Sequence, residues 1–196
     1  MKLSEFKHIY FLGIGGIGMS ALARYFHRQG KRVGGYDKTA SSLTRELEQD
    51  GIEISYIDRG EAIVDWVGDP TEVLVVYTPA VPLKHGEFTF FKTKGYHLKK
   101  RAEVLGMITR SHQALAVAGT HGKTTTSALL AHVLTSSSNG CNAFLGGIST
   151  NYGTNVLIDA ESPWVVVEAD EFDRSFHHLN PFASIVTSTD ADHLDI

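Results

Sequence analysis

The sequence predicts an α/β protein built from two consecutive parallel-sheet units. Short apolar runs alternate along the chain with segments of helical spacing, the pattern of a parallel sheet covered by helices on both faces. Two of those runs, His8-Ile-Tyr-Phe-Leu12 and Gln113-Ala-Leu-Ala-Val117, lead directly into glycine-rich turns and then into helices. The turns lie in opposite halves of a 196-residue chain, a length that suits one or two domains of about 100–200 residues.

Taken in order, His8–Leu12 is the first strand and Met19 to Gln29 the first helix, with Leu22, Ala23 and Phe26 at helical spacing. Arg32–Tyr36 resumes a strand that ends at Asp37. Ser41 and Ser42 precede a helix, Leu43 to Gln49, which Gly51 closes. Ile52 to Ile57 is a third strand. Val73–Tyr77 is a fourth, stopped by Thr78-Pro79 because proline has no N–H to give a ladder. Lys84 to Lys94 and Arg101 to Thr109 read as helices. The basic cluster Lys92, Lys94, Lys99, Lys100 and Arg101 reads as a solvated face.

A second unit starts near Ser111, giving domains 1–108 and 109–196. Gln113–Val117 is its leading strand and a helix follows the glycine turn. Further strands are expected at Asn142–Leu145, Trp164–Glu168 and Ser184–Thr187. Gly146 to Asp159, rich in Gly, Asn, Ser and Thr, is expected to be a loop. That leaves roughly three strands after Lys123 where such a domain needs about five, so the sheet is expected to be unfinished and the chain a fragment.

Bulk properties exclude several classes. An apolar fraction of 42% is enough for a real core. A net charge of −4 argues against nucleic acid as the main partner. The single Cys141 rules out an internal disulfide, fits a reducing compartment and reads as a small buried apolar residue. Lys2, Glu5, Lys7 and His8 make the start unlike a signal peptide. No stretch approaches the roughly 18 apolar residues of a membrane span. A soluble cytoplasmic protein, with no membrane partner, is expected.

The second glycine turn, Ala118-Gly-Thr-His-Gly-Lys-Thr-Thr-Thr126, has the physical parts of a P-loop. Backbone N–H groups and a helix N-terminus face phosphate, Lys123 adds a point charge, and Thr124 offers a hydroxyl to Mg²⁺. The common loop has four residues between its glycines; Gly119 and Gly122 are separated by two. The bland alternative is a polar turn before an ordinary helix.

The first turn, Gly13-Ile-Gly-Gly-Ile-Gly18, sits between strand and helix as a Rossmann-like dinucleotide fingerprint does. Asp37, ending the next strand, is placed for ribose hydroxyls. These residues admit NAD(P) or another pyrophosphate-bearing ligand.

Two acidic motifs follow apolar strands. Val165-Val-Val-Glu-Ala-Asp-Glu-Phe-Asp173 puts Glu168 where a neighbouring strand commonly presents an acid to the metal. Asp170, Glu171 and Asp173 crowd it and need a cation or a base such as Arg174. Asp190-Ala-Asp-His-Leu-Asp195 adds His193, suited to metal or phosphate. His27, His97, His112, His132 and His177 read as surface or packing residues.

In this order, Gly13-Ile-Gly-Gly-Ile-Gly-Met-Ser20, Gly119-Thr-His-Gly-Lys-Thr-Thr125, Glu168-Ala-Asp-Glu-Phe-Asp173 and Asp192-His-Leu-Asp195 resemble the Mur ligases of peptidoglycan synthesis across essentially the whole chain. Residues 168–176 and the Asp-His-Leu-Asp ending are more similar to the alanine-adding branch than to the branch that recycles a murein tripeptide. The resemblance implies that the first domain binds the UDP of UDP-N-acetylmuramate and no nicotinamide. Gly15, Gly16, Ile17 and Gly18 would face the diphosphate, with Asp37, Thr78, Pro79 and Ala80 near nucleotide or sugar. The second, P-loop-type ATPase domain would bind ATP and Mg²⁺ through Gly119, Thr120, His121, Gly122, Lys123, Thr124 and Thr125.

By the same resemblance, Thr124, Glu168 and His193 hold metal, and Lys123, Glu168 and His193 are the catalytic set. The muramoyl carboxylate would attack the γ-phosphate of ATP, and L-alanine would then attack the acyl phosphate to form an amide. A third, C-terminal domain of the family is missing, so the fragment is expected to bind UDP-muramic acid at most. An NAD-dependent oxidoreductase leaves Lys123, Glu168 and Asp192-His193 unexplained. A non-catalytic nucleotide-binding module is the other alternative.

Overall fold

Apolar strands flanked by glycine turns set the frame of this protein. The computed structural model describes residues 2–170 and 172–190, and the chain divides into two units, Met1–Val104 and Leu105–Ile196.

The first unit contains β1 (His8–Leu12), α1 (Ile17–Arg28), β2 (Arg32–Tyr36), α2 (Ser42–Gln49), β3 (Glu53–Ser55), the single turn α3 (Val64–Val67), β4 (Val73–Tyr77), α4 (Gly86–Thr93) and β5 (His97–Lys100). Helix α5 (Arg101–Ser111) carries the division. The strands form one parallel sheet in the order β3-β2-β1-β4-β5.

Side chains alternate across a strand. Accordingly Tyr10 and Leu12 of β1 and Val73 and Val75 of β4 enter one cluster with Trp66, Phe88, Phe90, Phe91 and Tyr96. Ile9, Phe11, Leu74 and Val76 are equally buried on the opposite face, and α1 packs against β1 and β2. Burying each such side chain contributes about 1.5–3 kcal/mol. Gly34 lies in β2 because a Cβ there would come within 2.5 Å of the Trp66 ring.

Strand order reverses between β1 and β4, so a crevice opens beyond their carboxyl ends, where open α/β sheets bind ligands. Both the Gly13–Gly18 turn and Thr78 stand at that point.

The second unit contains β6 (Gln113–Ala118), α6 (Lys123–Ser136), β7 (Asn142–Ser149), β8 (Thr154–Leu157), β9 (Trp164–Glu168), a 3₁₀ segment over Phe172–His178 and β10 (Ala183–Val186). Its sheet order is β10-β6-β9-β7-β8, with β7–β8 the antiparallel pair. Beneath α6, Ala131 packs with Cys141, Ala143, Leu145 and Val166.

Two expectations are corrected. Gly146 to Asp159 is a β-hairpin, not a loop: Gly146 and Gly147 are accommodated by a register shift between Phe144 and Ser149, and Gly153, at φ +63°, turns the chain into β8. Asn142 Nδ2 donates to the Asp159 carbonyl at 3.0 Å and Asp159 N donates back to Asn142 Oδ1 at 3.2 Å, locking the hairpin base. Consequently, among the described residues, four strands rather than three follow Lys123, in a five-stranded sheet. Lys99 and Lys100 lie in edge strand β5, and Lys92, Lys94 and Lys100 are exposed, as a solvated basic face requires. Charged side chains are what an edge strand uses to resist further pairing, and Lys99 pairs with Glu103 at 2.9 Å. Among the described residues no helix is long and apolar enough to cross a membrane.

Candidate functional site

The site in the second unit begins where β6 ends. Gly119 adopts φ +126°, and a Cβ there would lie 2.2 Å from Thr187 Oγ1, so no side chain fits. Gly122, at φ +81°, caps α6. Helix geometry leaves first-turn N–H groups without intrahelical acceptors at the positive end of the dipole, and these belong to the Lys123-Thr124-Thr125 turn. Lys123 Nζ donates to the Gly119 carbonyl at 2.8 Å, which folds its charge over the turn.

Glu168 arrives from β9, which pairs directly with β6, Val117 opposite Glu168. Its carboxylate accepts from Thr124 Oγ1 at 3.1 Å, from Ser127 Oγ at 3.0 Å and from Gly146 N at 2.7 Å. The end of β10 braces the same turn. Thr187 N and Oγ1 donate to the Ala118 carbonyl at 3.0 and 3.1 Å. His121 N donates to Ser188 Oγ at 3.0 Å, and Thr120 Oγ1 donates to the Asp190 carbonyl at 2.8 Å.

Gly119 through Thr125 and Glu168 are therefore brought together. His193, Asp192 and Asp195 lie outside the described residues, as do Glu171 and the side chains of Asp173 and Arg174. A hydroxyl beside a carboxylate is a hard oxygen donor set that fits Mg²⁺, an ion that takes one or two carboxylates and completes its shell with phosphate oxygens and water. Among the described residues no three His, Cys, Asp or Glu gather as a metal cage. A cavity of about 270 Å³ adjoins Thr124 and Thr125, walled by Leu129, His132, Ile148 and Asn151. Cys141 is buried away from solvent, which pushes its thiol pKa up.

In the first unit, Asp37 Oδ2 accepts from Gly15 N at 2.7 Å and Oδ1 accepts from Thr39 N at 3.1 Å. Asp37 thus fastens the glycine turn as well as standing at its mouth. A Cβ at Gly15 would lie 2.9 Å from Asp37 Oδ2, and one at Gly18 would lie 2.8 Å from Arg101 Nη1. Gly16 differs: it caps α1 at φ −68°, and its Cβ would meet nothing nearer than 3.8 Å. Among the described residues nothing demands a glycine there. Ile17 is exposed at 37%. Thr78 accepts from Val81 N at 3.1 Å, closing a turn that holds Pro79 and Ala80 at the surface.

Sequence reasoning missed a polar group at the ends of β2 and β3. The His85 ring lies tilted at 54° against Tyr36 with centroids 4.3 Å apart, and its Nδ1 lies 3.7 Å from Asp58 Oδ1. Both His85 ring nitrogens and Tyr56 Oη are buried without a hydrogen-bond partner among the described residues. Burial works against the Asp58 carboxylate. The N–H groups of Gly86, Gly60 and Glu87, with His85, outweigh it and hold the pKa below the usual range. Arg101 was also missed, and its position opening α5 directly after β5 was the available signal. Next to Asp58, Glu87 is fully buried and is satisfied by Tyr10 Oη at 2.8 Å and Arg59 N at 3.2 Å.

Two α/β units, each with a glycine turn between strand and helix, define the class of parallel-sheet proteins whose turns are shaped to approach phosphate groups. The chain belongs to the Mur ligase family: a model of the "Mur ligase family, catalytic domain" matches residues 8–113, and one of the "Mur ligase middle domain" matches residues 117–196. It is 58% identical over all its 196 residues to a UDP-N-acetylmuramate–L-alanine ligase of Phocaeicola vulgatus, covering 43% of that protein. Over 97% of its length it is 60% identical to the enzyme of that name from Porphyromonas gingivalis, covering 42% of it.

Among solved structures, UDP-N-acetylmuramate–alanine ligase from Thermotoga maritima superposes with a TM-score of 0.83 at 33% identity, over 96% of this chain and 43% of that one. The UDP-N-acetylmuramate:L-alanyl-gamma-D-glutamyl-meso-diaminopimelate ligase from Neisseria meningitides gives 0.84 at 27% identity, over 97% of this chain and 63% of that one. The chain thus spans about two fifths of the length of the curated relatives it matches. Family membership removes the oxidoreductase reading of the first turn.

Proposed function

We propose that the protein carrying this chain is an ATP-dependent amide-forming ligase that joins L-alanine to the carboxylate of UDP-N-acetylmuramate in peptidoglycan biosynthesis. The observation that carries this reading is the meeting of the Thr124 hydroxyl with Glu168 at the mouth of the Gly119–Lys123 turn, in a chain 58% identical to an enzyme of that name.

In this reading the first unit holds the UDP-sugar. The glycine turn over Gly15 to Gly18 and the start of α1 face the diphosphate, with the Gly15 N–H committed to Asp37, and Gly16 stays small because the ligand approaches it. Asp37, Thr78, Pro79 and Ala80 flank the nucleotide or sugar, and the unpartnered His85 and Tyr56 groups offer hydrogen bonds at the base end. The second unit holds ATP across Gly119 to Thr125. Carboxylate and γ-phosphate are both anions, so their approach needs positive charge. Lys123 supplies one unit of it, and Mg²⁺ held by Thr124, Glu168 and His193 would offset charge on the transferring phosphoryl group. The chain's own groups orient and neutralise; the substrate carboxylate is the nucleophile. Nucleotide substrates and a net charge of −4 support a cytoplasmic enzyme whose partners are small molecules.

Calorimetric titration tests the substrate site. UDP-N-acetylmuramate is expected to bind and NAD to give no heat, and Gly16→Val, which meets no internal neighbour nearer than 3.8 Å at its Cβ, is expected to abolish binding without unfolding the protein. NAD binding in place of the UDP-sugar would overturn the proposal. The likeness to the tripeptide-adding enzyme from Neisseria meningitides supports a second reading, with a peptide in place of L-alanine.

A further inference from the structure

Glu168 is held from two elements at once. Its Oε1 accepts from Ser127 Oγ of α6 at 3.0 Å and from Gly146 N of β7 at 2.7 Å, while Oε2 accepts from Thr124 Oγ1 at 3.1 Å. Ser127 is fully buried in the helix interior. Its hydroxyl also lies 3.1 Å from the Thr124 carbonyl, but it has one proton, and a charged acceptor makes the stronger bond. With Oε1 pinned, rotation about the terminal carboxylate bond is blocked, and Oε2 is left pointing at Thr124. Two neighbouring oxygens on an octahedral Mg²⁺, each about 2.0–2.1 Å from the ion, sit about 2.9 Å apart. The 3.1 Å between Thr124 Oγ1 and Glu168 Oε2 is close to that spacing before any cation enters.

We propose that Ser127, together with the backbone N–H of Gly146, is a positioning clamp that presents Glu168 Oε2 beside Thr124 Oγ1 to a divalent cation. The proposal rests on the reading of this turn as a metal-nucleotide site. It also assigns β7 a role: any shift of the hairpin that moves Gly146 moves the carboxylate.

The test uses Mn²⁺ as an electron-paramagnetic-resonance probe on the full-length protein with bound β,γ-imido-ATP, and a thermal melt of every variant. Ser127→Ala is expected to weaken Mn²⁺ about tenfold, as loss of a partner to a metal ligand does, and to have no further effect in a Glu168→Ala background. Gly146→Ala attacks the clamp independently: this exposed residue's new Cβ would come within 2.6 Å of Glu168 Oε2, so it too should weaken Mn²⁺ while melting like wild type. Equal losses from Ser127→Ala with and without Glu168 would make Ser127 a packing residue and overturn the clamp. Wild-type Mn²⁺ affinity in both Ser127→Ala and Gly146→Ala, with Glu168→Ala impaired, would overturn the clamp and leave the metal site standing. Unchanged affinity in Glu168→Ala would bring down the metal-site reading and the clamp with it.

Discussion

Gly119 and Lys123 show how differently two residues of one turn are constrained. Gly119 is held by backbone shape: φ +126° and a Cβ position 2.2 Å from Thr187 Oγ1 exclude any side chain. Gly119→Ala is therefore expected to destabilise the second unit by about 1–3 kcal/mol, read as a lowered midpoint in thermal unfolding. Lys123 is held by charge. Lys123→Met should keep the fold by circular dichroism and, on the proposed function, reduce turnover of the full-length protein about 10²–10³-fold. Both residues were legible in the sequence because a strand, a glycine turn and a helix start are neighbours along the chain. Ser127 and Arg101 were not. Their partners, Glu168 and Gly18, are 41 and 83 positions away, and only the folded sheet brings them near.

Elements differ in how far their own residues declare them. Strands β1, β4 and β9 are continuous apolar runs and were read at their observed bounds. Strand β5 has one apolar residue in His-Leu-Lys-Lys, and β8 follows a Gly- and Asn-rich stretch, so local composition concealed both. Helix α4 has a start that no local motif reveals: its cap comes from Asp58, which accepts from Gly86 N at 2.6 Å and Glu87 N at 2.9 Å. This remote cap makes a pH prediction. The folded pKa of Asp58 lies below its unfolded value of about 3.9, so its contribution is present above that value and is lost as pH falls through the folded pKa. Acid unfolding followed by circular dichroism should show a stability decline below about pH 4 that is shallower in Asp58→Asn. An unchanged slope would remove Asp58 as a contributor.

At the scale of the whole molecule, the first unit has its own five-stranded sheet and aromatic core. A chain ending after α5, at residue 112, is expected to melt cooperatively and to be stabilised by UDP-N-acetylmuramate but not by ATP, as thermal shift would record. The alternation of strands and helices made both units legible. The mixed character of the second sheet was hidden, because two glycines in β7 mimic a loop and only pairing with β8 overrides them. The amine donor separates the two ligase readings that the fold alone leaves close, with TM-scores of 0.83 and 0.84. The most direct measurement is phosphate release by the full-length protein with UDP-N-acetylmuramate, ATP and Mg²⁺, comparing L-alanine with L-alanyl-γ-D-glutamyl-meso-diaminopimelate. The account predicts stoichiometric phosphate and amide product with L-alanine and none with the peptide. Turnover with the peptide alone, or no dependence on either amine, would contradict it.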